Sequence, residues 1–288
     1  MMNLRRFFLI AFASLHSQSY TVTTFTAATI RTTTITTTTT TTATAMMKAW
    51  SCHGRTQLEL VTHLTQASII SSPEIATVMT RVDRSFFTPT HPYQDAPQPI
   101  AEQQTISAPH MHAHVLERLL PRLLSAKPPL TILDVGCGSG YLTACFAELL
   151  KVLNKANDSQ IYGIDVWPNL IDTSQKNIQQ FHPELLTSHS ITLSLADGWL
   201  GLPGKTFDAI HVGAAATEFP KPLLMQLKLN GVLIIPVGPQ AGVQVLYQVE
   251  RLELSNVYQP HNFLVQEVMG VRYVPLIHPQ NSQDGTTL

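Results

Sequence analysis

The stretch LTILDVGCGSGYLTACFAELL, residues 130–150, decides the fold. Residues 130–135 form an apolar run ending at Asp134-Val135, the pattern of a buried strand, and a helix is expected from Tyr141 to about Leu153. Between them stand Gly136, Gly138 and Gly140. Without a Cβ, these residues let the backbone turn tightly and approach a ligand closely. A dinucleotide-binding turn requires G-x-G-x-x-G/A. Counted from Gly136, the last position is Tyr141; counted from Gly138, it is Thr143. The spacing here is G-x-G-x-G with an acid two residues ahead, which suits a ligand lacking pyrophosphate.

Downstream, strand and helix keep alternating. Residues 161–166 form a strand ending near Asp165, followed by a helix from Pro168 to about Phe181. Residues 191–195 lead to Asp197-Gly198, and residues 207–212 lead to Gly213. A helix is expected over 220–229, then a fifth strand over 232–237 after a helix-stopping Asn230-Gly231 pair. Residues 243–252 and 263–274 finish the chain as strands without an intervening helix. This rhythm predicts an α/β doubly wound, Rossmann-like fold, with a parallel sheet covered on both faces and antiparallel C-terminal strands.

Upstream, Leu58, Val61 and Leu64 predict one helix, and Pro73 with Ile75, Val78 and Val82 a second. Prolines at 89, 92, 97 and 99 make 88–106 a loop without strand or helix. Pro109 opens a third helix that buries Val115, Leu116, Leu119, Leu120 and Leu123. The organisation expected is a helical N-terminal extension with a substrate-side loop at 47–126 and a ligand-binding core at 127–288, together one domain.

Residues 1–46 are set apart. No acid precedes Glu59, Arg5-Arg6 opens an apolar stretch at 7–15, and sixteen of the twenty-five residues at 21–45 are threonine. A membrane span needs roughly twenty apolar residues, and this stretch falls short. The threonine segment has no apolar face to offset its ordering entropy. It reads as a leader or disordered segment ahead of Met47, with a targeting signal as the alternative.

The whole chain has 288 residues, 44% apolar and 13% charged, with 18 basic and 19 acidic residues for a net charge of −1. That balance argues against nucleic acid as a partner. The three cysteines, Cys52, Cys137 and Cys145, form no disulfide framework and fit a reducing, cytoplasmic compartment.

In open α/β sheets the ligand lies beyond the carboxyl ends of the strands, so the residues there carry the function. Asp165 is placed to accept hydrogen bonds from vicinal ribose hydroxyls, and Asp197-Gly198 to meet an adenine edge. Asp134 would face the ammonium and sulfonium end of S-adenosyl-L-methionine. Three acids suit a cationic nucleoside. The plain alternative for each is a cap on the following helix or turn.

Seven stretches resemble the protein-L-isoaspartate (D-aspartate) O-methyltransferase family: QTISAPHMHA (104–113), DVGCGSGYLTACFA (134–147), GID (163–165), DG (197–198), FDAIHVGAAA (207–216), LKLNGVLIIPVGP (227–239) and MGVRYVPL (269–276). Trp50, soon after Met47, resembles that family's start. The resemblance implies a class I methyltransferase that uses S-adenosyl-L-methionine to methylate the free carboxylate of L-isoaspartyl residues in damaged proteins. It makes Ser107 the active-site serine and assigns Gln104, Thr105, Ile106 and His112 to the loop closing over cofactor and substrate. Asp134, Gly136, Gly138, Asp165, Asp197 and Gly198 become cofactor contacts. Departures are Cys137 for a common serine, Ile277 for a common threonine and Gln104 for a small residue.

The chemistry needs few groups. A carboxyl group with a pKa of about 4 is already an anion at neutral pH, so no general base is required. The turn Gly213-Ala214-Ala215-Ala216 offers none, and it lacks the N-P-P-[YF] sequence of amide and adenine methyltransferases. His110, His112 and His114 do not make a metal site, because neighbours two apart on a helix face different ways and no further ligand completes a set. Ser139 lies outside a G-x-S-x-G elbow. No stable membrane association and a monomer are expected. The alternatives are a methyltransferase of this fold acting on another carboxylate or a small molecule, and a non-catalytic S-adenosyl-L-methionine-binding protein.

Overall fold

Thr131–Val135 (β5) is buried along nearly its whole length, and its alternation supplies both faces of a sheet. Ile132 packs into one apolar cluster, while Leu133 and Val135 pack into another on the opposite side. The computed structural model describes residues 20–24, 31–35, 52–188 and 190–279. The chain divides into two compact units, 1–47 and 48–288.

In the first unit Tyr20–Thr24 (β1) pairs antiparallel with Arg31–Ile35 (β2), Tyr20 opposite Ile35. Pairing of the main chain needs no apolar face, and threonine favours extended backbone. The apolar stretch at 7–15, the threonine run at 36–42, Met47 and Trp50 lie outside the described residues.

The second unit opens with Gln57–Gln66 (α1), Pro73–Arg81 (α2) and Pro109–Ser125 (α3). Thr56 caps α1 by accepting from the Glu59 N–H, and proline opens α2 and α3 where no intrahelical donor is needed. Leu58 is exposed, contrary to the helical pattern expected; Gln57, Leu60, Val61 and Leu64 form the buried side of α1. Between α2 and α3, Gln98–Pro99 (β3) pairs with Thr105–Ile106 (β4), so the proline-rich loop holds a two-residue ladder where none was expected.

The core then runs Tyr141–Val152 (α4), Gln160–Asp165 (β6), Pro168–Phe181 (α5), Glu184–Thr187 (α6), Ile191–Leu195 (β7), Phe207–Val212 (β8), Lys221–Met225 (α7), Leu227–Val237 (β9), Gln244–Arg251 (β10) and Phe263–Val271 (β11). The seven-stranded sheet has the order β11-β10-β9-β8-β5-β6-β7. β9 through β7 are parallel neighbours, and β10 and β11 are antiparallel. The chain winds outward from β5 to β7 and then returns to β8 on the other side of β5. That reversal opens a crevice at the carboxyl ends of β5 and β8.

One expected boundary moves. The helix over 220–229 shrinks to five residues, and β9 begins at Leu227, passing through Asn230-Gly231. Asn230 has φ +58°, and the pairing with β8 shifts between Phe207 and Ala209. The pair therefore makes a bulge inside a strand instead of stopping a helix. A Cβ on Gly231 would lie 2.9 Å from the Phe207 carbonyl, so only glycine fits.

Candidate active site

The crevice has two adjoining compartments. The outer cleft, open to solvent, offers about 550 Å³ of empty space at the ends of β5, β6 and β7. Apolar side chains of Ile100, Trp167, Leu170, Leu276 and Ile277 line it together with Asp165, and so do Gln104 and Thr105. The inner pocket, about 360 Å³, is lined by Ile106, Ser107, His112, Asp134, Ser139 and His211 among others. Thr105, Gly136, Gly138 and Gly213 border both compartments.

Asp165 closes β6 on the side of the glycine turn. Its carboxylate accepts from the Gly138 N–H at 3.1 Å and the Trp167 N–H at 3.2 Å. Burial pushes its carboxyl up from the usual range, partly offset by these backbone donors. Each oxygen keeps acceptor capacity toward the cleft. Gly136 and Gly138 have φ of +71° and +56°, and a Cβ on Gly138 would stand 3.3 Å from Ile100. The turn thus keeps space that a side chain would take.

Asp134 and His211 are directly opposed across β5 and β8 and share the sheet face that carries α4. The Asp134 carboxylate accepts from the Thr143 hydroxyl at 2.5 Å and from His211 Nδ1 at 2.8 Å. Asp134 therefore sits in the wall of the inner pocket with both oxygens engaged. The sequence places Asp134 at the ammonium and sulfonium end of the ligand but does not point to His211 as its partner, although FDAIHVGAAA contains it.

Asp197 differs from the expected placement as well. Its side chain accepts from the Trp199 N–H at 2.9 Å and meets His278 Nδ1 at 2.7 Å, while Ala196 and Gly198 face the cleft. The turn after β7 directs this carboxylate toward the C-terminal residues. Trp199 stacks on His278 and donates from Nε1 to the Leu276 carbonyl at 3.0 Å. Leu276 N–H donates to the Ala215 carbonyl, and Gln244 holds both backbone groups of Tyr273. Residues 273–278 thereby form a strap along the cleft.

Ser107 stands at the junction of β4 and α3. Its side chain lies near that of Tyr273, whose own hydroxyl burial pushes up to about 12. The Ser107 carbonyl accepts from Arg84 Nη2 at 2.8 Å. His112 is buried beside Tyr141, and burial with nearby Arg84 holds its pKa well below the usual histidine value. His110 points elsewhere: its N–H and Nδ1 both engage Asp95 Oδ1, at 3.0 and 2.8 Å. Gln104 turns its amide to the Glu102 carbonyl while its backbone helps frame the cleft. Arg84 and Tyr273, like His211, lie outside the residues singled out from sequence.

These residues fit S-adenosyl-L-methionine. The outer cleft has apolar walls for a flat base, a buried carboxylate for ribose hydroxyls, and glycines that admit close backbone approach. Among the described residues no lysine, arginine or histidine lines it.

Comparison with known proteins agrees. A family model described as protein-L-isoaspartate(D-aspartate) O-methyltransferase matches residues 55–281. The chain is 40% identical over 221 residues to a protein-L-isoaspartate O-methyltransferase of Triticum aestivum, covering 75% of this chain and 89% of the relative. It is 38% identical over 229 residues to the Caenorhabditis elegans enzyme of that name, covering 79% and 95%. A Plasmodium falciparum crystal structure, a putative protein-L-isoaspartate O-methyltransferase in complex with S-adenosyl-L-homocysteine, superposes with a TM-score of 0.68 at 34% identity. It covers 78% of this chain and 99% of the other.

Proposed function

The chain belongs to the protein-L-isoaspartate(D-aspartate) O-methyltransferase family, and on that premise we propose how its own residues divide the work. It is a methyltransferase that uses S-adenosyl-L-methionine to esterify the free carboxylate of L-isoaspartyl residues in damaged proteins. When bound, that cofactor supplies an electrophilic methyl group on a sulfonium. Asp165 holds the ribose hydroxyls, while Gly136, Gly138 and Gly198 give the backbone close access. Gln104, Thr105 and Ile106 close over the ligand. Asp134, supported by His211, places negative charge beside the inner pocket, which favours a cation at its mouth.

The observation that carries the reading is the join between the two compartments at Thr105, Gly136, Gly138 and Gly213. It lets a carboxylate at Ser107 face a donor held along Asp165. The Ser107 hydroxyl orients the acceptor through one neutral hydrogen bond, strong enough to position an anion without quenching it as a nucleophile. Holding two reactants in such a pose supplies roughly 7–11 kcal/mol of a barrier. His112 serves as a neutral donor, and no residue has to remove a proton from the acceptor.

We further assign residues 47–126 to the substrate side and 127–288 to the cofactor core. Cys137 and Cys145 are buried without a disulfide, which supports a reducing, cytoplasmic setting, and we take the enzyme to be a monomer. Among the described residues no helix is long and apolar enough to cross a membrane. The experiment is transfer of labelled methyl groups to matched isoaspartyl and aspartyl peptides and to small carboxylic acids. Labelling of the isoaspartyl peptide alone is expected. Equal labelling of the small acids, or cofactor binding with no transfer, would overturn the assignment.

A further inference from the structure

Arg84, on the 3-10 turn Arg84–Phe86, is fully buried and has no carboxylate paired with it among the described residues. Asp95 commits Oδ1 to His110, and Asp134 is taken by His211 and Thr143. Burial lowers the guanidinium only to about 10, so it stays charged at neutral pH. The group stacks over the Tyr141 ring at 5.2 Å, and Nε has no hydrogen-bond partner. Its other two nitrogens go to the site: Nη2 donates to the Ser107 carbonyl at 2.8 Å, and Nη1 meets His112 Nδ1 at 3.2 Å.

A guanidinium donates and never accepts. His112 Nδ1 must therefore be the acceptor, and in the neutral ring the proton resides on Nε2. The ring lines the inner pocket, so Nε2–H is the donor left for a ligand. We propose that Arg84 is a positioning residue: it fixes His112 in the Nε2–H tautomer, anchors the Ser107 peptide, and thereby makes the inner pocket a receptor for a carboxylate. The inference rests on the methyltransferase reading and deepens it. That carboxylate belongs either to the amino-acid end of the methyl donor or to the isoaspartyl acceptor. Charged and titratable groups facing His112 are Arg84, Tyr141 on α4, His110 on α3, and the Asp134–His211 pair on β5 and β8.

The test begins with nitrogen-15 spectra of the histidine rings in the ligand-free protein at pH 7. A protonated Nε2 and a bare Nδ1 are expected for His112; a protonated Nδ1 or a doubly protonated ring would overturn the proposal. Arg84→Met should release the tautomer preference, and Arg84→Lys should keep it. Calorimetry with S-adenosyl-L-methionine and its decarboxylated analogue, beside KM for an isoaspartyl peptide, separates the two sources. If the donor's carboxylate is bound, Arg84→Met weakens the intact cofactor about tenfold and leaves the analogue unchanged. If the acceptor's is bound, KM rises about tenfold at constant cofactor affinity. In either case Arg84→Lys should recover most of the loss. Unchanged affinity and KM in folded Arg84→Met would contradict the assignment. The tautomer is read in the unsubstituted protein, so a variant that fails to fold leaves the proposal open to refutation. Absent methyl transfer with Nε2–H in place would indict the functional reading alone.

Discussion

Ser107 lines the inner pocket, while its carbonyl is held by Arg84. Ser107→Ala should lower kcat tenfold to a hundredfold, since one hydrogen bond to a charged group contributes about 1.5–3 kcal/mol. Calorimetry should find cofactor affinity within about twofold of the parent; a matching loss of affinity would place Ser107 on the cofactor instead. Asp165 gives a prediction in pH. Burial raises its pKa above the ordinary 3.8, so over the interval above that value the folded protein keeps a proton the unfolded chain has released. The stability from that proton is present at low pH and is lost as pH rises through the raised pKa. Affinity runs the other way, because the ionised carboxylate is the better acceptor for ribose hydroxyls. Thermal unfolding of the free protein and cofactor Kd, measured from pH 4 to 7, should therefore show opposed trends at this group, absent in Asp165→Ala; parallel trends would remove Asp165 from the ribose site. Asp165 was legible in the sequence because it ends an apolar run at a strand terminus. His211 was not. Its partner Asp134 lies 77 residues earlier, and only the register of β5 against β8 sets them face to face.

At the scale of elements, the strap at 273–278 depends on few contacts. Gln244 is buried and makes two hydrogen bonds to the Tyr273 backbone, so Gln244→Ala should cost about 1–3 kcal/mol in urea unfolding. If the strap also retains the cofactor, the dissociation rate in stopped-flow should rise in the same variant; an unchanged rate would make the strap a purely structural brace. Gly198→Ala tests the packing beneath it. Its Cβ would lie 2.7 Å from Val135 Cγ1 and 2.8 Å from Leu276 Cδ1, an overpacking that costs typically about 1–3 kcal/mol. Cofactor affinity should fall with stability, and a variant with parental affinity would show that Leu276 yields freely. The alternation of β5, α4, β6, α5, β7 and β8 was legible from apolar runs and glycines. The start of β9 was not, because Asn230-Gly231 carries the same residues as a helix stop and only pairing with β8 reveals a bulge. The strap itself has no periodic signal; tertiary partners from Ala215, Trp199 and Gln244 define it.

For the whole molecule, a mixed sheet with its crevice at the β5–β8 reversal carries a buried carboxylate, a glycine turn and a hydroxyl, and the mechanism we propose asks it to align reactants without proton transfer. Fold class followed from the strand and helix order, since both faces of β5 had to be covered. Acceptor identity came from the ISAPHMHA stretch and the family match rather than from physical pattern alone, for an inner pocket of serine and histidines does not by itself name isoaspartate. The most direct measurement is the single-turnover rate of methyl transfer to an isoaspartyl peptide at saturating cofactor, from pH 6 to 8.5. The acceptor is ionised throughout that range, with a reference pKa of about 4, so a flat profile is expected. A rate that climbs tenfold per pH unit through neutrality would mean that a base must first strip a proton from the acceptor, and this account of the site would fall.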